Sequence, residues 1–221
     1  MGIMGRNIYF TFALISWLVA LLQLIIGIKV SRMHNCPTNF AYFYLYPLVG
    51  TIINVVICCA ILQFLPKKVA FIANIVSLLF HYSFLCNFIY IETRKKIVVK
   101  YLSVLILVLL ILFIIFDIKR SSVYSFAFAN SCLFIFCVFY FYLLLKEKPA
   151  LDLRNNPVFI ILCGIFIGVG ISIPFTLAYK YLVELNVPRD TLFLYNLLSG
   201  LGYLIMNLSF LKALLCINKN K

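Results

Sequence analysis

Residues 104–116 read Val-Leu-Ile-Leu-Val-Leu-Leu-Ile-Leu-Phe-Ile-Ile-Phe, thirteen apolar side chains without a break. A membrane β-barrel strand alternates apolar and polar positions over roughly ten residues, which this run cannot do. An apolar helix of about 20 residues satisfies its backbone amides within its own segment, so it is the spanning solution this stretch demands. Working outward, the same reading recurs on both sides and predicts helices near 8–30, 41–65, 69–91, 98–116, 123–145, 157–182 and 191–217. The expected fold is an all-α membrane protein, one seven-transmembrane-helix bundle spanning residues 1–221.

Composition agrees. The chain is 65% hydrophobic and 11% charged, with a mean hydropathy of +1.12, whereas soluble domains carry roughly 25% charged residues. Seven spans within 221 residues leave short connectors and no Ser- or Gly-rich linker, hence a single domain. The first span is too long for a signal-peptide core, has only Arg6 before it and lacks a small-residue cleavage site before Lys29, so it reads as a retained helix. Asn7 stands where a myristoylation signal would place Ser or Thr.

The formal charge of +13 belongs with the membrane and not with nucleic acid. Twelve Lys and Arg, among them Arg94, Lys95, Lys96 and the tail residues Lys219 and Lys221, fall on the side holding the C-terminus, against seven on the other. Cationic loops are retained in the cytoplasm, which predicts the N-terminus outside and the C-terminus inside. The expected location is the inner (plasma) membrane, crossed several times. Basic inner loops also suit anionic lipid, so the bilayer itself is the first partner.

Seven of the eight cysteines, Cys58, Cys59, Cys86, Cys132, Cys137, Cys163 and Cys216, fall inside predicted helices, while Cys36 sits in a loop on the inner side. Without paired metal-ligand spacing they read as small buried hydrophobes, and no metal or other cofactor is expected. The six acids, Glu92, Asp117, Glu147, Asp152, Glu184 and Asp190, all lie at helix ends or in loops. No zinc-protease, nucleophile-elbow or phosphate-loop motif occurs, so an enzyme is not expected. A retinal pigment needs a lysine deep in its last helix; Lys212 lies about a turn from the inner end, where it can snorkel to the interface. Charge pumping would need buried acids, and the spans hold none.

Polar residues within the spans are the candidate site. Asn74, Ser77 and His81 share one face of the third helix, with His81 near the bilayer midplane. Asn196, Ser199, Tyr203 and Asn207 share a face of the seventh, and Pro47, Thr51 and Asn54 of the second. Polar stripes of this kind bond between helices or line a wet cavity. The plain reading is interhelical packing; the sharper one is a small polar ligand pocket bounded by helices two, three and seven. A neutral His81 bonded to a neighbouring helix is the structural alternative to a ligand or proton role, since no acid shares its depth. In the sixth helix, Gly164 and Gly168 lie four apart and create a groove for close helix packing, ahead of Gly170, Ser172 and Pro174. Asn155-Asn156-Pro157 suits the start of that helix, with Asn as cap and Pro at the first position.

Seven helices also suit a sugar-type carrier of two parallel three-helix repeats joined by a peripheral fourth helix. Pro47 near the start of helix two and Pro174 in the last third of helix six do not correspond, as the breaks of such repeats should.

Asn156-Pro157-Val158-Phe159 with its Gly-rich continuation, and Leu194-Tyr195-Asn196-Leu197-Leu198 running into Tyr203, resemble the last two helices of an uncharacterised seven-helix family. Asn74 and the aromatic run Phe139 to Tyr142 fit the same order. The family comprises small bacterial inner-membrane proteins similar to stand-alone membrane sensor portions of signal-transduction proteins, and it supplies no catalytic or ligand residues to transfer. The resemblance implies a receptor-like or signalling component whose output leaves through a cytoplasmic or membrane partner. A small-solute transporter with a polar site at the bundle midplane is the alternative, and a homo-oligomer is compatible with both.

Overall fold

The computed structural model describes residues 3–33, 40–61, 67–92, 97–117, 123–147 and 153–219. They form seven α-helices: α1 (Ile3–Ser31), α2 (Leu45–Ile61), α3 (Lys67–Glu92), α4 (Ile97–Asp117), α5 (Val123–Glu147), α6 (Pro157–Glu184) and α7 (Arg189–Lys219), with a 3₁₀ turn at Leu153–Asn155. Four of them carry segments long and apolar enough to cross a membrane: Leu14–Ser31, Phe126–Leu144, Pro157–Ala178 and Gly200–Ile217. Shorter apolar stretches occupy Ile75–Ile91 in α3 and Val99–Leu112 in α4. The molecule is thus a helical membrane protein, with wide apolar faces on α1 (Leu14, Trp17, Leu18, Leu21) and α4 (Val104, Leu105, Val108) turned outward.

Most helix limits match the apolar pattern to within a few residues, but α2 begins at Leu45 where the expected 41–65 has it four residues earlier. Its start is set by Pro47, which has no N–H to give to the Phe43 carbonyl. Tyr46 N takes that carbonyl instead at 3.3 Å, and Phe43 N bonds Phe40 O at 3.1 Å, so residues 40–44 wind as turns before the helix proper. Residues 62–66 lie outside the described residues.

The start of α6 is built by Asn156, whose Oδ1 accepts from Val158 N at 3.0 Å and Phe159 N at 3.3 Å. Its end is closed by Asn186 at φ 52°, a left-handed conformation that Asn tolerates. Val187 N bonds back to Leu182 O at 3.2 Å, the six-to-one closure of a helix C-terminus. Pro188 then offers its carbonyl to Thr191 N at 3.0 Å, so α7 begins at once. The chain reverses in four residues, and α6 and α7 form the most extensive helix pair.

In space the helices follow one another round a ring: α1 on α2, α2 on α3, α3 on α5, α5 on α6, α6 on α7, and α7 back on α1. Helix α4 lies outside, against α3 and α5. The core is not centred along the ring's axis. It gathers at the end where α1, α3, α5 and α7 finish, around Val30, Phe43, Ile89, Ile161, Phe210 and Leu214. Phe43 meets Phe210 edge-on at 5.3 Å and Phe88 at 5.7 Å, and Tyr46 meets Phe210 at 5.3 Å. Aromatic edges and faces attract in this geometry. In the opposite half, none of the described side chains of α3 before Leu78, of α6 after Ser172 or of α7 before Gly202 is fully buried. One end is plugged by rings; the other is looser.

Candidate functional site

The polar residues of the interior lie at the boundary between those halves. His81, 14 residues into α3, hydrogen bonds through Nδ1 to the Tyr46 hydroxyl of α2. Its ring meets Tyr203 of α7 edge-on, with centroids 6.3 Å apart. The Tyr203 hydroxyl accepts from Asn130 Nδ2 of α5 at 3.4 Å, and the same amide donates to Ser172 Oγ of α6 at 3.3 Å. Ser172 in turn donates to the Val169 carbonyl at 3.0 Å. A polar line therefore crosses the ring from α2 through α3, α7 and α5 to α6.

Each member is where it is for a local reason. Asn130 is 1% and Ser172 0% exposed, so neither amide nor hydroxyl can turn to water, and each must find a partner inside. The Ser172 hydroxyl settles on its own helix, a bond open to Ser on an apolar helix. Tyr46 is held by Phe80, Phe84 and Phe210, with centroids 6.3, 5.1 and 5.3 Å away. Packing fixes the phenol, and the phenol fixes the imidazole.

One atom of the line is unsatisfied: His81 Nε2 is buried without a hydrogen-bond partner. The tautomer follows from counting orphans. If Tyr46 donates to Nδ1, the proton sits on Nε2 and a single donor lacks a partner. If Nδ1 donated, the phenolic proton and the Nε2 lone pair would both go unmet, the costlier arrangement. His81 is accordingly an Nε2–H donor. The helices around it contribute no charge at this depth: residues 45–61, 69–91, 123–145, 157–179 and 191–211 contain no Asp, Glu, Lys or Arg. A neutral imidazole costs far less there than an imidazolium.

Of the eight residues expected to line a pocket, the structure sets His81 and Tyr203 against each other. Ser77 is half-buried one turn from His81. Asn207 lies one turn from Tyr203 and its carbonyl is taken by Gln23 Nε2 of α1. Asn54, Asn74, Asn196 and Ser199 lie on α2, α3 and α7, but their side chains are outside the described residues. Thr51, on the same face of α2 as Asn54, spends its hydroxyl on the Pro47 carbonyl at 2.7 Å, within its own helix.

Gly164 and Gly168 of α6 face α7, while Gly170 faces Phe134 of α5. A Cβ on Gly164 would overlap Ser209, and one on Gly168 would overlap the Gly202 carbonyl and stand 3.0 Å from Met206 Cβ. Gly202 was not singled out in the sequence, although it lies on the same helical face as Met206 and Ser209. Tyr46, Asn130 and Gln23 were missed as well. The last two carried a usable signal: Asn130 is the only amide in α5, and Gln23 the only one between Asn7 and Lys29. An isolated amide deep in an apolar helix needs a partner on another helix.

The arrangement can donate and accept hydrogen bonds in an uncharged, aromatic setting. Among the described residues no three of His, Cys, Asp and Glu come together as metal ligands, and Cys86, Cys132, Cys137, Cys163 and Cys216 are free thiols. No protein-family model matches the chain, and no curated protein or solved structure matches it either.

Proposed function

We propose that the protein is a receptor-like or signalling component of the inner (plasma) membrane, acting through a partner protein. In this reading all seven helices span, the N-terminus is outside and the C-terminus cytoplasmic. The looser half of the ring then faces outward, and the aromatic plug lies at the cytoplasmic end. A small ligand met in the outer half would bear on the polar line, which touches five of the helices.

The order of the helices carries the proposal. A carrier of two parallel three-helix repeats works by moving one repeat against the other. Here the helices run round one ring in sequence order, closed by α1 on α7. Among the described residues neither α1 with α3 nor α5 with α7 forms an extensive interface. Closure of α7 on α1 ties the first and last helices together, which favours small shifts of packed helices over alternating access. The resemblance of the segments 156–159 and 194–203 to stand-alone sensor portions points the same way.

One feature favours the second reading, a small-solute transporter: α4 lies outside the ring, where a linker between repeats would sit. The two are separated by purifying the full chain from its membrane. Co-purification of a kinase or regulator, with no solute uptake by proteoliposomes, is the expected result; uptake without a partner would replace the proposal with the carrier. A C-terminal reporter active only outside the cell would overturn the orientation.

A further inference from the structure

The unpaired Nε2–H of His81 specifies what the site can hold. We propose that it anchors an uncharged small molecule bearing a carbonyl or hydroxyl oxygen on an apolar body, seated against the Tyr46 and Tyr203 rings. The inference rests on the receptor-like reading and deepens it by naming the ligand class.

The first reason is polarity: with Nδ1 occupied by the Tyr46 hydroxyl, the buried, unpaired position on the ring is a donor, so its complement is an acceptor oxygen. Leaving a buried donor unmet costs roughly 1–3 kcal/mol, which the ligand's oxygen would relieve. The second is charge. No ionisable Asp, Glu, Lys or Arg lies at this depth on the surrounding helices, and an ion brought there would find no counter-charge. Anions and cations are both excluded by the same composition. The third is the packing around it: His81 and Tyr203 lie where the packed half gives way to the half in which none of the described side chains of α3, α6 or α7 is fully buried. Beyond His81 on the plugged side stand Phe84, Phe43 and Phe210, so the approach is from the looser end.

The competing occupant is a lone water, which would satisfy the same N–H. A matched probe series distinguishes them: cyclohexanone, cyclohexane, cyclohexylammonium and cyclohexanecarboxylate share one ring and differ in the group presented. The full chain in detergent, carrying His34→Gln so that His81 is its one imidazole, is labelled with ¹⁵N-histidine. We expect the spectrum of an Nε2–H tautomer, a saturable shift of the Nε2 signal with cyclohexanone, and a rise of a few degrees in Tm. The other three probes leave both unchanged. In His81→Phe the ketone no longer raises Tm, and in Tyr46→Phe, where the ring is released, its effect is reduced.

The proposal is overturned by an Nδ1–H tautomer, by an Nε2 signal that ignores the ketone, by an equal Tm rise with cyclohexane, or by a ketone effect that survives in His81→Phe. Should His81→Phe fail to fold, the wild-type imidazole spectrum and the probe series still decide. Failure here leaves partner co-purification standing, and a failed co-purification leaves the ketone shift standing, so the two readings fall separately.

Discussion

Gly168 and Gly202 meet backbone to backbone across the α6–α7 seam, each occupying the space that a Cβ on the other would need. The contact lets α6 and α7 pack closely, and among the described residues they form the most extensive helix pair. Without water to expel, helices in a bilayer associate by van der Waals packing and interhelical bonds, and small residues let the backbones approach.

Alanine at either glycine therefore forces the helices apart. Gly168→Ala and Gly202→Ala are each expected to destabilise by about 1–3 kcal/mol, the range of overpacked sites. Gly50→Ala is the control, because a Cβ there meets nothing within 4 Å. It should be neutral or stabilise by up to about 1 kcal/mol through the stiffer chain. Thermal unfolding in one detergent, with Tm read for all three, checks the contrast.

Removing the amide of Asn130 breaks the middle of the polar line. Asn130→Leu should cost about 0.6–2 kcal/mol, the scale of interhelical bonds in membranes. Asn130→Asp should do worse, since it removes both donated bonds and adds a carboxylate with no cation at that depth. Yield of folded protein and Tm for the pair would show the order.

Tyr46 and His81 act as a unit. Tyr46→Phe leaves both imidazole nitrogens without partners and is expected to cost about 1–3 kcal/mol. Adding His81→Phe removes the stranded polar group. The double variant should then lose less than the sum of the singles, a coupling of at least about 0.5 kcal/mol in a double-mutant cycle.

At the start of α6, Asn156→Ala deletes the side chain that takes the Val158 and Phe159 amides. A loss of about 1 kcal/mol is expected, and Asn156→Gly should lose only a few tenths. Faster hydrogen exchange at those two amides, with the rest of α6 unchanged, would place the effect at the cap.

The fold was legible in the sequence wherever apolar runs were long, because a backbone in hydrocarbon has one solution and side-chain identity hardly matters to it. The limits of α2 were harder, since Pro47 shifts the hydrogen bonding of residues preceding it, and hydropathy does not register a missing N–H. The α6 cap could be read because Asn-Pro at a helix start acts locally. Polar partners were half legible. A stripe on one helix, such as Ser77 and His81 on α3, is visible as spacing; what it meets depends on which helices become neighbours. Tyr46 was hidden among fourteen tyrosines, and nothing in its local pattern marks it as the phenol that binds an imidazole. Asn130 was visible in principle, alone in an aromatic helix.

Ring closure also sets a clock. Gln23 of α1 finds its acceptor on Asn207, 184 residues later in the chain. At roughly 5–20 residues per second, synthesis takes on the order of 10–40 s to deliver that carbonyl. Until then a side-chain amide stands in the first helix with its partner unmade. A nascent chain stalled before α7 would hold the Gln23 amide without this acceptor, so the first helix is not fully satisfied until the last one arrives.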